Sequence, residues 1–197
     1  LDDDDLIAPT YAEKAVNLLL GDDDLGVVYC QARLFGAENT SWVLPEFSEE
    51  GLALRNSVFA TAFFLRRDWV AVGGYSESLK IFEDYDFWIK IVQLGRRFHR
   101  IDEELFFYRV GHSSIMRPAG GSSRRTRQES LEAAKLAIVR SNSEFFGRHV
   151  ATIYEDRMRL ERELAEWRRD YYAIDRHFGK YVRLVPRLLR SKSMGGK

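Results

Sequence analysis

An α/β fold with a helical, heptad-patterned extension at its C-terminal end is predicted from three observations. Short β-branched and aromatic runs alternate with segments of helical apolar period over the first 110 or so residues. From Val150 onward the strand-like runs stop and apolar residues recur every three or four positions. Across 197 residues, 45% are apolar and 13% aromatic, enough to fill a core.

Taken in order, Pro9 suits a helix start, and Tyr11, Ala15, Leu18 and Leu19 fall at helical spacing until the polar Gly21-Asp22-Asp23-Asp24 turn. Val27-Val28-Tyr29-Cys30 reads as a buried strand that Ala32 to Phe35 extends, closed by Gly36. Residues 36 to 50, with Pro45, read as a loop. A short helix is expected near Leu52 to Asn56, a second buried strand over Phe59 to Leu65, and a short helix from Asp68 that Gly73-Gly74 stops. Glu83 to Leu94 predicts an amphipathic helix with Gly95 as its C-cap. Phe98 to Ile101 and Leu105 to Tyr108 predict two short strands, and Gly111 to Ser123 a Gly/Ser-rich loop. Val150, Ile153, Leu160, Leu164, Trp167, Tyr171, Ile174, Phe178 and Tyr181 then form a heptad seam broken only by Arg157. Four large aromatics in that seam leave self-association and packing onto the protein's own domain as its two uses.

The 30 basic and 30 acidic side chains cancel, so no overall field favours nucleic acid, and none is expected as a partner. Charge is unevenly placed. Residues 1 to 24 hold eight acids against Lys14 alone, and residues 178 to 197 hold six Lys or Arg and no acid. Mixed with Tyr181, Leu184, Leu188 and Leu189, that basic tail suits an anionic membrane surface as well as it suits a frayed terminus interrupted by Pro186. The lone Cys30 excludes an internal disulfide framework and points weakly to a reducing compartment. With no run long enough to span a bilayer, the expectation is a cytoplasmic protein that can sit peripherally at the inner face of the membrane. The chain opens without Met on Leu1-Asp2-Asp3-Asp4-Asp5 and reads as a fragment.

Two constellations carry chemistry. Carboxylates as dense as Asp2 to Asp5 repel one another unless solvent or a cation compensates them. A hard divalent cation, Mg²⁺ or Mn²⁺, suits carboxylate oxygens and substrate phosphates together; alone, an acidic run is equally a solvated loop or a cap. Glu83-Asp84-Tyr85-Asp86-Phe87-Trp88 places acids at a helix start, where the macrodipole favours them as simple capping. Together, a metal-binding acid cluster and a second acid about 80 residues later behind a Gly-Gly turn suit a site that holds a diphosphate and deprotonates a hydroxyl.

In order along the chain, Leu1-Asp2-Asp3-Asp4-Asp5-Leu6-Ile7-Ala8-Pro9, Phe64-Leu65-Arg66-Arg67-Asp68-Trp69 with Val72-Gly73-Gly74-Tyr75, Glu83 to Trp88, and Leu105 to Ser114 resemble family 2 glycosyltransferases of the GT-A fold. The resemblance implies a partial GT-A, Rossmann-like mixed sheet, the N-terminal nucleotide-binding half being absent, and hence a fragment inactive alone. It implies a metal-binding DxD segment with Asp2 and Asp4 as ligands, Asp3, Asp5 and His112 at the donor, and Asp84 as catalytic base. Glu83, Trp88 and Gly74 fall to the acceptor side, where Trp88 is either a stacking platform or core. Residues 1–118 would form the metal and acceptor side of the transferase domain, 119–149 a helical connector, and 150–197 the heptad helix and basic tail.

The implied reaction is an inverting transfer of a sugar from a nucleotide-diphosphate donor to a saccharide or lipid-linked acceptor. Surface polysaccharide or glycolipid synthesis is the expected setting. No Gln-x-x-Arg-Trp motif of processive synthases follows residue 100, so addition of a single sugar is expected. Competing readings are a metal-dependent nucleotidyl or phosphoryl transferase, and a non-catalytic coiled-coil assembly module.

Overall fold

A computed structural model describes residues 1–111 and 124–192, with the backbone alone at 124 and beyond 172. In chain order the elements are β1 (Leu6–Ile7), α1 (Tyr11–Gly21), β2 (Leu25–Gly36), β3 (Ser41–Trp42), α2 (Glu49–Leu54), β4 (Phe63–Phe64), α3 (Arg66–Ala71), α4 (Glu83–Gln93), β5 (Arg97–Val110), α5 (Arg124–Ser141), α6 (Ser143–Arg148) and α7 (Val150–Lys192). The chain divides into two units, Leu1–Val150 and Ala151–Lys197.

The first unit is α/β, with a mixed, partly parallel open sheet consistent with a partial Rossmann-like fold. Its centre is the parallel pair β2 and β5, which run together from Leu25 opposite Arg97 to Gly36 opposite Val110. β1 lies antiparallel on the outer side of β5, and β3 and β4 lie antiparallel on β2. A strand flanked on both sides and covered on both faces must be apolar throughout. Leu25 to Cys30 are accordingly all buried.

Strand alternation sorts the two faces. Val28 and Phe63 sit opposite each other and face α1, where the Phe63 ring meets Tyr11 edge-on at 4.9 Å. Tyr11, Ala15 and Leu19, four residues apart, bury one stripe of α1 against Val28, Cys30, Ala32, Ile101 and Phe106. One residue out of phase, Val27 pairs with both Phe64 and Phe98. Trp88 of α4 packs against both of those rings, at 5.8 and 6.3 Å.

Four local expectations are corrected. Phe59 to Leu65 is strand only at Phe63–Phe64, because the Ala62 amide donates to the Phe59 carbonyl (3.1 Å) and turns the chain. The two strands expected near residue 100 are one, β5: the register on β2 slips between Cys30 and Ala32, so the acids Asp102, Glu103 and Glu104 are absorbed by a ladder irregularity and not by a turn. The 36–50 loop holds β3, and the helix expected near Leu52 to Asn56 is α2, beginning at Glu49, where Ser48 Oγ accepts the Gly51 amide at 3.0 Å.

α5 and α6 attach to α4 through a buried polar link. Asn142 Nδ2 donates to Asp86 Oδ1 at 2.7 Å, and Lys90 Nζ lies 2.7 Å from Asp86 Oδ2, so this buried carboxylate is compensated on both oxygens. α7 is a 43-residue helix on which Val150, Leu160, Leu164, Trp167 and Tyr171 are exposed. Trp167 and Tyr171 stack with ring planes 6° apart, and Arg157, the break in the seam, pairs with Glu161. Side chains of the seam beyond residue 172 and the end of the basic tail lie outside the described residues. Among the described residues, no helix is long and apolar enough to cross a membrane.

Candidate functional site

The acid-rich opening is placed by pairing. β1 meets β5 at Leu6 opposite Phe107, which sets Asp5 and its neighbours beside the C-terminal ends of the parallel strands. In open α/β sheets ligands gather outside those carboxyl ends. Arg109 fastens the turn: its amide donates to Asp5 Oδ1 at 2.8 Å, its Nε donates to the Asp4 carbonyl at 3.0 Å, and its guanidinium lies 4.4 Å from the Phe35 ring centre. Asp5, expected at the donor, is buried and anchors the turn to β5 instead. Asp2 and Asp3 are exposed and Asp4 is half-buried.

These are hard oxygen donors of the kind Mg²⁺ and Mn²⁺ take. Among the described residues no group of three or more His, Cys, Asp or Glu could hold a metal ion. An ion at this turn would therefore draw further ligands from elsewhere, as Mg²⁺ does when it shares one or two carboxylates with substrate phosphates. His112, expected at the donor, lies outside the described residues.

The second cluster is the start of α4. Asp84 is half-buried, its Oδ1 accepting the Tyr85 amide at 2.8 Å and its Oδ2 accepting Asn56 Nδ2 at 2.9 Å. Burial raises its pKa above the ordinary carboxylate value; the two hydrogen bonds act against that rise, and the neighbouring Glu83 adds to it. Phe82, just before the helix, holds a left-handed backbone at φ 63°, strain of the sort found at functional sites. Neither Asn56 nor Phe82 stands out in the sequence. An Asn after a short helix reads as an ordinary turn residue, and a positive φ at Phe has no sequence signature.

Segment Asn56–Phe59 links the two clusters. Asn56 holds Asp84, while the Phe59 ring lies 5.0 Å from that of Phe106, whose backbone pairs with Ile7 just after the acid turn. Glu83 is half-buried beside Asp84. Of the two readings of Trp88, the structure gives the core one: its relative exposure is 0% and Nε1 donates to the Val58 carbonyl at 3.2 Å. It presents no ring face to a sugar.

The Gly73-Gly74 turn positions Tyr75, whose ring packs on Phe87 at 5.0 Å. Both glycines have positive φ, 79° and 71°, but a Cβ at Gly73 meets nothing within 4 Å, whereas one at Gly74 would lie 2.6 Å from Trp69 Cζ2. Gly73→Ala should cost about 1–2 kcal/mol from left-handed strain. Gly74→Ala should cost about 1–3 kcal/mol more from overlap with the indole. Urea unfolding of the two variants side by side checks the difference.

The α/β sheet thus carries exposed carboxylates at the carboxyl ends of its parallel strands, and a carboxylate of raised pKa stands at the start of α4. The chain is similar to two proteins of Pasteurella multocida, a chondroitin synthase and a hyaluronan synthase, at 29% identity over 105 residues in each case. That stretch is half of this chain and 11% of the length of either relative. The likeness supports a glycosyltransferase-like relationship. No family model matches the chain.

Proposed function

We propose that the chain is the metal and acceptor side of an inverting, family 2-like glycosyltransferase. It would move a sugar from a nucleotide-diphosphate donor to a saccharide or lipid-linked acceptor in surface polysaccharide or glycolipid synthesis. The observation that carries the reading is Asp84: a carboxylate on a rigid helix, desolvated enough to raise its basicity yet held by two donors. A carboxylate has about four acceptor sites, more than its bonds from the Tyr85 and Asp84 amides and Asn56 use, so an acceptor hydroxyl can approach and surrender its proton as its oxygen attacks the anomeric carbon. Glu83 and the Gly74 loop border that approach.

Asp2 and Asp4 would hold the divalent ion, with Asp3 and His112 on the donor side and Asp5 anchoring the turn. Bound there, Mg²⁺ or Mn²⁺ would neutralise charge on the departing nucleoside diphosphate. Arg109 keeps the acid turn at the strand ends, a preorganisation that costs nothing at the moment of reaction. The heptad face of α7 and the basic tail are assigned to self-association and to membrane contact.

The test is donor turnover by the full-length protein. UDP-, GDP- and dTDP-sugars are incubated with Mg²⁺ or Mn²⁺ and a mixture of saccharide acceptors, and released nucleoside diphosphate is measured. We expect release that EDTA abolishes and that falls about 10²-fold or more in Asp2→Asn with Asp4→Asn. Metal-independent release unaffected by those changes would remove the acid turn from the mechanism.

A further inference from the structure

We infer that Asn56 is the positioning residue of the candidate base, an assignment that rests on the glycosyltransferase reading and extends it to a residue outside every motif. Its amide has one orientation open to it. Oδ1 accepts the Val58 amide at 3.2 Å, which turns Nδ2 toward Asp84, where it donates to Oδ2 at 2.9 Å. Val58 is itself fixed, buried and with its carbonyl bound by Trp88 Nε1 at 3.2 Å. The chain Trp88–Val58–Asn56–Asp84 therefore runs from the core to the carboxylate through directed bonds.

Asp84 is consequently held from two sides. Tyr85 fixes Oδ1 from within α4, and Asn56 fixes Oδ2 from the segment after α2. With either donor alone the carboxylate could rotate about its last bond; with both, its plane is set. A base must meet the acceptor proton at hydrogen-bond distance, so a set plane is worth rate and not only stability. Asn56 also stabilises the charged form against burial, which keeps the base ionised at lower pH. The other titratable groups influencing this site are Glu83, next to Asp84 on α4, and Tyr75, from the loop after Gly74.

Asn56→Ser is the informative variant, because its hydroxyl can still accept the Val58 amide while its shorter arm no longer reaches Asp84. In the full-length protein, kcat/KM for nucleoside diphosphate release is measured from pH 5 to 9 for wild type, Asn56→Ser, Asn56→Ala and Asp84→Asn, with thermal unfolding of each. The expected result is a fall of about 10- to 100-fold in kcat for both Asn56 variants. The acidic limb moves to higher pH, donor KM is unchanged, and Asn56→Ser keeps the wild-type unfolding temperature. A wild-type pH profile in Asn56→Ser alongside an inactive Asp84→Asn would overturn the assignment and leave the enzyme reading standing. Unfolding of Asn56→Ser would overturn it by making Asn56 a structural residue. Full activity in Asp84→Asn would sink the base itself, and Asn56 with it.

Discussion

Asp84→Asn is expected to lose about 10²- to 10⁴-fold in turnover while donor binding is retained, because it removes a positioned base and nothing that touches the nucleotide. The amide is isosteric and its oxygen can still accept the Tyr85 N–H, so the helix start survives, although its Nδ2 then faces Asn56 Nδ2 and that hydrogen bond is lost. What it cannot do is take a proton. A second readout follows from the same burial. The folded pKa of Asp84 lies above its ordinary value of 3.8, so the folded state holds this proton more tightly than the unfolded chain does. The stabilisation from that proton is complete below the unfolded value and is lost as pH rises through the folded one. Removing the group should flatten this part of the stability profile. Urea midpoints from pH 3 to 8 would show wild type falling relative to Asp84→Asn as pH rises; a constant offset would mean that burial does not perturb the carboxyl. If turnover persists in full, Asp84 is a helix cap and the proposed mechanism fails.

Trp88→Ala carries the largest expected stability loss, about 3–5 kcal/mol. The indole fills the space between α4 and the sheet, against Phe64, Phe87 and Phe98. Trp88→Phe keeps most of that packing but strands the Val58 carbonyl, at a cost of about 1–3 kcal/mol. Neither variant should raise the acceptor KM of whatever protein remains folded. A raised acceptor KM at unchanged unfolding midpoint would return Trp88 to the cleft as a stacking surface. The comparison separates two roles that an aromatic beside an acidic motif always offers: a platform for sugar, or the floor that keeps the motif in place.

Much of this architecture was legible in the sequence because short-range patterns set it. The stripe Tyr11, Ala15, Leu19 fixes α1, the apolar run from Val27 to Cys30 marks a strand covered on both faces, and acids before Phe87 announce α4. The same local pattern marks Glu83, Asp84 and Asp86 alike as acids at a helix start; Asp84 is singled out among them only by the resemblance to family 2 glycosyltransferases.

What the tertiary structure decided was everything that depends on partners distant in the chain. β5 is one strand because β2 can slip its register past Asp102, Glu103 and Glu104; from sequence those acids look like a break. Asp5 separates from Asp2 and Asp3 because Arg109, 104 positions away, offers its amide to that carboxylate alone. Trp88 is core because Val58 supplies an acceptor behind it, and Asp84 is oriented because Asn56 arrives from 28 residues earlier. Periodicity reports which side of an element is apolar, but hydrogen-bond direction is settled only when two segments meet. The acids of this helix start are therefore read from the helix itself, and the orientation of Asp84 only from the fold.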